Sequence, residues 1–223
     1  MPAWAVAPLV GVLVGGGFSG PTAARVRAAS NPAIYAAGLL TRADVPAGWK
    51  RSKQADAGAG EYRGIAGCTQ LVSTIEALRR AAPHKLSPQF TDTRSPHELA
   101  SAADTVYAFK TSSAAATLLH RFRTGAVTTC LINAAKKGGG NGAQVTLTPI
   151  TNRSGTGDDV VADQVSLQAH DVSGAPVTAV LDVDVVRVGR ALVGFNLTNQ
   201  DTELSQAPAI VNAVVSRLRA VGA

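Results

Sequence analysis

The chain has 223 residues, of which 46% are apolar, 16% charged and 4% aromatic, and its formal net charge is +6. This length suits one domain or two small ones, and the apolar share excludes a wholly disordered chain. The lack of a heptad or glycine repeat also excludes a coiled coil and collagen, so the sequence predicts a globular protein.

The N-terminal segment has the composition of a secretory leader. Residues 3–18 are almost wholly apolar (AWAVAPLVGVLVGGGF), and Val26-Arg27-Ala28 fits the small-x-small cleavage rule. A membrane anchor is the alternative, although Pro8 and four glycines within this run make a poor spanning helix. The run lacks the basic residue that normally precedes it. We predict a cleaved signal peptide over residues 1–28 and an extracytoplasmic protein, either secreted or held in the cell envelope.

Positive charge is spread over short basic pairs. Removal of the leader takes away Arg25 and Arg27 and lowers the net charge from +6 to +4. Nucleic-acid binding requires a basic stripe interleaved with stacking aromatic residues, and most aromatic residues here lie apart from the basic pairs. We therefore predict no nucleic-acid partner. Solvated helix faces account for the charge, and an anionic envelope surface or ligand is the alternative.

Cys68 and Cys130 are the two cysteines of the chain. In an exported protein an isolated pair most often forms a disulfide, and closing a loop of about 62 residues stabilises a fold by roughly 4 kcal/mol in the chain-entropy model. Two buried thiols or a catalytic cysteine are the alternatives. The chain has no C-x-x-C motif, so the pair does not indicate thiol–disulfide exchange.

Residues 29–60 are predicted as an entry segment and loop, and residues 61–223 as a single domain. In the entry segment, Pro46 and Gly48 favour a turn that presents Trp49 to the domain body.

The first half of the domain carries helical and extended patterns. Cys68 opens a helix whose Leu71, Ile75 and Leu78 form an apolar stripe, and Pro83 ends it. Further along the chain, Ser112 and Ser113 can cap a second helix, and helical spacing resumes over a segment that carries Cys130. The predicted disulfide therefore joins two helices. The remaining predictions for this half are strands over 89–94 and 98–110, a turn at Ser95-Pro96-His97, a helix over 126–137 and a plain loop at 138–142.

The second half is rich in strands. In the clearest one, alternating valines are interleaved with Thr178, Asp182 and Asp184, which predicts one buried face and one solvent-exposed face. The predicted strands span 143–151, 160–171, 177–188 and 191–198, and a C-terminal helix is predicted over 204–220. The fold class is α+β: an antiparallel sheet covered by helices, with the C-terminal helix packing back on the sheet.

Several short motifs are similar to those of exported actinobacterial proteins. They are Leu39-Leu40-Thr41, Asp44-Val45-Pro46-Ala47-Gly48-Trp49, a cysteine opening a helix, a later cysteine after an alanine-rich helix, Val186-Arg187-Val188-Gly189-Arg190 and Arg217-Leu218. Over roughly residues 32–221 the chain resembles the PknH-like extracellular sensor domain and related mycobacterial-type lipoproteins of PsbP-like fold. The resemblance implies a non-enzymatic extracytoplasmic domain that senses or binds ligands through a cleft beside the sheet. Family members with two disulfides have one more than this chain can form.

No set of residues predicts catalysis or a resident cofactor. The histidines are dispersed, and Asp182 and Asp184 alone would leave a divalent cation underligated. The GGGNG segment lacks the Lys-Ser/Thr ending of a phosphate-binding loop, and no Gly-x-Ser-x-Gly elbow occurs. We predict no metal, no cofactor and no enzymatic activity. A secreted hydrolase whose residues meet only in space is the alternative.

The leading hypothesis is a ligand-binding or sensor-like module with a cleft between sheet and helices. The candidate cleft residues combine apolar contact with polar reach, and they are Trp49, Tyr107, Phe109, Arg187 and Phe195. Core packing, or an exposed position for the arginine, is the alternative for each. We expect a monomer whose partner is an unknown small molecule or envelope component, with a membrane-associated protein as a further partner. A structural envelope protein is the third functional class.

Overall fold

The structure is a computed structural model that describes residues 29–56, 58–92, 94, 100–139, 142–153, 156–170 and 174–223. The predicted signal peptide and the predicted turn at Ser95-Pro96-His97 lie outside these residues. Among the described residues, no helix has the length and apolar character needed to span a membrane. The helices and strands of the described chain are α1 Asn31–Gly38, β1 Lys50–Ser52, α2 Thr69–Ala81, β2 His84–Leu86, β3 Gln89–Thr91, β4 Ser101–Ala108, α3 Ser112–His120, α4 Gly125–Gly139, β5 Gln144–Pro149, β6 Asp159–His170, β7 Pro176–Val188, β8 Ala191–Gln200 and α5 Ala207–Ala220.

The described strands form one antiparallel sheet, which confirms the predicted α+β class. Its order is β1-β3-β4-β8-β7-β6-β5, and β2 pairs with β4 beside β3. The long strands β6, β7 and β8 are consecutive neighbours in the sheet. Gly189, in the turn between β7 and β8, has a φ of 52°, a left-handed conformation that glycine adopts without steric cost.

Helices cover both faces of the sheet. Helices α1 and α5 lie on one face, which we call the α5 face, where Val106 and Val193 belong to the same core as Ile210 and Val214. Helices α2, α3 and α4 lie on the opposite face, which we call the α2 face. The central strands are therefore covered on both sides, as expected for a sheet between two helical layers.

The N-terminal part of the described chain packs into the core of the α5 face. Ile34 and Leu40 are buried there together with Trp49. The segment 29–60, expected as an entry segment and loop, therefore contributes a helix and an edge strand to the same body as residues 61–223.

The polar face predicted for β7 is not exposed to solvent. Asp182 and Asp184 are 1% and 0% exposed. Both lie against Arg153, which a short 3₁₀ turn after β5 brings over this strand. The prediction of a solvent-exposed face is wrong at these two positions, because β7 is a central strand with a covered α5 face.

Two helix ends differ from their predictions. Thr111, rather than Ser112 or Ser113, caps α3: its Oγ1 accepts a hydrogen bond from the Ala114 N–H at 3.2 Å. The extended backbone of Thr111 places the hydroxyl over the first turn, as an N-cap requires. Helix α4 continues to Gly139, so the glycine-rich segment predicted as a plain loop begins inside the helix.

Candidate ligand-binding cleft

A cleft of about 410 Å³ lies on the α2 face between the sheet and helices α2 and α4. Strands β4, β7 and β8 form its floor, and α2, α4 and the 3₁₀ turn Arg121–Arg123 form its roof. Part of the segment 54–62 lines one side. Sites for small ligands have volumes of roughly 300–1,000 Å³, so the cleft is large enough to hold one.

Small residues on the strands create the empty space above the floor. Ala103 and Thr105 of β4 line the cleft together with Gly194 of β8, and Thr105 and Gly194 are register partners. A Cβ atom built at Gly194 would meet no described atom within 4 Å. The missing side chain at Gly194 therefore contributes directly to the volume of the cleft.

The roof is apolar. Helix α2 contributes Leu71, Ile75 and Leu78, which share one side of the helix because they recur at helical spacing. Helix α4 contributes Val127 and Leu131, four residues apart and hence on one side as well.

The disulfide between Cys68 and Cys130 joins the two helices of the roof. Cys68 immediately precedes α2, Cys130 lies within α4, and both are buried. They belong to one apolar cluster with Leu71 and Val127, which line the cleft. The predicted pairing is confirmed, and it links α2 to α4 directly beside the cleft.

The two ends of the floor differ in polarity and exposure. At one end, Tyr107 of β4 is paired with Leu192 of β8, and both residues are buried. At the other end, Ser101 is paired with Thr198, and both are partly exposed. Asn196, two residues before Thr198, is exposed. Within the described part of the chain, no hydrogen bond engages the side chains of Ser101, Asn196 or Thr198, so their polar groups are available to a ligand or to water.

Charged residues at the β2 edge of the cleft form a local network. Arg79 forms an ion pair with Asp56. The Nε2 atom of His84 lies 3.5 Å from Asp56 Oδ2, and the His84 ring stacks on Tyr107 with centroids 5.2 Å apart. Burial raises the pKa of Tyr107, and the positive charge of Arg79 partly offsets that rise. No hydrogen bond among the described residues joins His84 to a serine, the contact that a serine hydrolase uses.

The structure brings two of the five predicted cleft residues to the cleft. Tyr107 lines it, and Phe195 borders it while belonging to the buried core of the α5 face. Trp49 lies in that same core, and Phe109 is buried in the cluster between the sheet and α3. Arg187 forms an ion pair outside the cleft.

Sequence reasoning missed most of the residues that form the cleft. Leu71 and Ile75 are predicted only as the buried stripe of a helix, and periodicity does not distinguish a stripe that faces a core from one that faces a cleft. Gly194 carries one signal, because an isolated glycine inside a strand indicates a bulge or a close approach of other groups.

A separate cluster of charged residues is buried on the α5 face. Arg153 donates to Asp184 Oδ2 at 2.9 Å and to Asp182 Oδ2 at 3.1 Å. It also donates to Glu203 Oε1 at 3.2 Å. Loss of hydration raises the pKa of Asp182 to about 6. Because the Arg153 guanidinium pairs with all three carboxylates, this cluster is an ion-pair network. Within the described ranges, no group of three His, Cys, Asp or Glu side chains is arranged to hold a metal ion.

The sequence matches no protein-family model and no curated protein. Among solved structures, the fold is similar to that of the extracellular domain of PknH from Mycobacterium tuberculosis, with a TM-score of 0.44 and 10% sequence identity. The similarity covers 86% of this chain and 93% of that chain. It is a distant likeness of fold, and it identifies no ligand and no site residue.

Proposed function

We propose that this protein is an exported, non-enzymatic ligand-binding domain of the sensor-like type. The observation that carries the proposal is the cleft between the sheet and the roof, which has the volume of a small-molecule site, an apolar roof, and polar groups along its floor and edges. Export is supported by the apolar N-terminal segment and by the disulfide, because disulfides persist in oxidising compartments.

The ligand is a small molecule or a component of the cell envelope, and the protein binds it as a monomer. A sensing role requires a second protein that distinguishes the filled cleft from the empty one. We propose a membrane-associated protein for that role, because an exported domain of this kind acts beside the membrane that it has crossed.

Filling the cleft tests the proposed binding function. Gly194→Leu places an apolar side chain where a Cβ atom meets no neighbour, so we expect the variant to fold and to exclude the ligand. Native mass spectrometry of protein isolated from the producing cells should show a bound molecule on the wild-type chain and none on Gly194→Leu.

The matched control is Gly138→Leu, which makes the same change at an exposed position of α4 outside the cleft. We expect this variant to keep the bound molecule. A molecule retained equally by wild type, Gly194→Leu and Gly138→Leu contradicts binding in the cleft. A wild-type chain that carries no molecule but turns over an ester or peptide substrate supports the hydrolase instead.

Export has its own test in the producing cell. We expect the mature protein to begin near residue 29 and to have no thiol that reacts with iodoacetamide before reduction. Intact mass and thiol labelling of the extracytoplasmic fraction measure both properties. A chain that keeps residues 1–28 and two reactive thiols in the cytosol contradicts the proposed location.

A further inference from the structure

The floor of the cleft changes from apolar and buried to polar and exposed along the strand direction. Tyr107 and Ser101 mark the two ends on β4, six residues apart, which corresponds to about 20 Å of extended strand. Leu192 and Thr198 mark the corresponding ends on β8. Polarity and exposure therefore increase in the same direction on both strands.

The two ends suit different parts of a ligand. Beside the buried end, Leu78 of α2 and Val185 of β7 join Leu192 in lining the cleft, which suits an apolar chain. At the exposed end, the hydroxyls of Ser101 and Thr198 can each donate and accept hydrogen bonds. Sugar and polyol hydroxyls have the same dual capacity.

The charges that line the cleft do not suit an anionic headgroup, and the three polar side chains at its exposed end, Ser101, Asn196 and Thr198, are uncharged. Arg79 is neutralised by Asp56, and Asp184, which borders the cleft, is bound to Arg153 on the α5 face. Glu61 adds a further carboxylate to the lining. No lining cation among the described residues lacks a carboxylate partner, so an anionic headgroup would be desolvated without compensation.

We infer that the cleft binds a neutral amphiphile, with its aliphatic chain under α2 and α4 and its hydroxyl-bearing headgroup at the end formed by Ser101, Asn196 and Thr198. This inference rests on the proposed binding function and adds the chemical class of the ligand. The floor at the headgroup end is the more exposed of the two, so the headgroup keeps contact with water.

Probes that share one octyl chain test the inference. Octyl glucoside, octyl sulfate and octyltrimethylammonium are each titrated into the protein below their micelle concentrations by calorimetry, and glucose is titrated alone. We expect octyl glucoside to bind at least about tenfold more tightly than either charged probe, and glucose to give no measurable heat. Binding to vesicles that contain a neutral glycolipid is then compared with binding to phosphatidylcholine vesicles. Stronger binding to the glycolipid vesicles indicates that the ligand comes from a membrane, and equal binding indicates that it comes from solution.

Two substitutions test the headgroup contact and the binding of the octyl chain separately. Thr198→Val keeps the shape of the side chain and removes its hydroxyl, so we expect octyl glucoside to bind about three- to tenfold more weakly, with octyl sulfate unchanged. Gly194→Leu should abolish binding of all octyl probes. Thr178→Val, on β7 outside the cleft, is the control and should leave every titration as in wild type. Melting curves by circular dichroism establish that each variant is folded.

The outcomes distinguish this inference from the proposed function. A charged probe that binds as tightly as octyl glucoside, or a Thr198→Val variant without effect on octyl glucoside, overturns the neutral-headgroup assignment and leaves the cleft as a binding site. If the wild-type protein binds none of the three octyl probes, both the inference and an apolar ligand for the cleft are overturned.

Discussion

Arg153 is the largest fully buried side chain among the described residues. Its guanidinium faces Asp182 and Asp184, which are also buried, and reaches Glu203 at the protein surface. Removal of one partner from a buried ion pair is costly, because the charges that remain have lost both water and counterion.

We predict that Arg153→Met lowers the free energy of unfolding at pH 7 by about 3–5 kcal/mol. The loss should be smaller at pH 5, because Asp182 and Asp184 can then take up protons and become neutral. Urea denaturation at the two pH values measures both effects.

Arg123→Met provides the comparison, since Arg123 pairs with Asp159 at a partly exposed site. Exposed pairs contribute about 0–1 kcal/mol, so this variant should lose no more than that. Equal losses in Arg153→Met and Arg123→Met contradict the assignment of the Arg153 cluster as a buried network.

Asp104 is a further buried carboxylate, and it lies on β4. Its Oδ1 accepts a hydrogen bond from the Leu40 N–H at 3.2 Å, and its Oδ2 has no partner among the described residues. Loss of hydration raises the pKa of Asp104 from 3.8 to about 7. Hydrogen bonds and the charge of Arg217 lower it only in part, and Asp44 raises it further.

The raised pKa predicts a stability that falls as the pH rises. The folded state binds the Asp104 proton more tightly than the unfolded state, so the free energy of unfolding declines between about pH 4 and pH 7 and then levels off. Asp104→Asn removes this contribution. We expect the variant to exceed wild type in stability at pH 8 by up to about 4 kcal/mol and to differ little at pH 4.

Paired urea titrations of wild type and Asp104→Asn from pH 4 to pH 8 measure that difference. Asp182 and Asp184 have raised pKa values as well, but they are present in both proteins, so their contribution cancels. A stability difference that stays constant across this range contradicts the assignment.

The buried aspartates show where the sequence is ambiguous at the scale of a residue. Alternation in β7 correctly indicates that Asp182 and Asp184 share one face, but alternation cannot tell whether that face meets water or a second layer. The decisive partner, Arg153, lies 29 residues before Asp182, in a short 3₁₀ turn without a periodic pattern. Gly194 is ambiguous in the same way, because its empty neighbourhood depends on helices that are remote in sequence.

At the scale of elements, the disulfide is the covalent link between the two helices that roof the cleft. We predict that replacing both Cys68 and Cys130 by serine lowers the free energy of unfolding by roughly 4 kcal/mol, because the unfolded chain regains the entropy of a loop of about 62 residues. The double variant should also bind cleft ligands more weakly, since α2 and α4 are then held by packing alone.

Urea denaturation and probe titration of the double variant measure these two effects separately. Wild type treated with dithiothreitol should reproduce both, which shows that the bond and not the serine hydroxyls is responsible. A double variant as stable as wild type contradicts a structural role for the disulfide.

Long elements are predictable because their own residues repeat with a period. The strand predicted over 160–171 is observed as β6 Asp159–His170, and that over 177–188 as β7 Pro176–Val188. The three-residue strands β1 and β2 show no such repeat, because pairing with a neighbour defines them. Helix α1 is missed for a related reason, since eight residues give two turns and a weak pattern.

At the scale of the whole molecule, residues 29–60 share the core of the domain predicted to begin at residue 61, and fragments of the chain can test this. The sequence predicts the α+β class correctly, since runs of helix and strand are visible along the chain. It does not show that residues 29–60 belong to the core, because Ile34, Leu40 and Trp49 become buried only against strands and a helix far along the chain. Arg217 of α5 reinforces this contact by donating to the Leu39 carbonyl at 3.2 Å.

We predict that a fragment of residues 29–223 folds as stably as the whole chain, whereas a fragment of residues 61–223 does not fold. Full burial of one large apolar side chain contributes about 1.5–3 kcal/mol, so loss of Ile34, Leu40 and Trp49 together removes a free energy comparable to the total stability of about 5–15 kcal/mol of an ordinary domain. Circular dichroism melts and amide chemical-shift dispersion measure the outcome. If fragment 61–223 melts cooperatively at the same temperature as fragment 29–223, the shared core is contradicted, because residues 29–60 then add nothing to the stability of the domain.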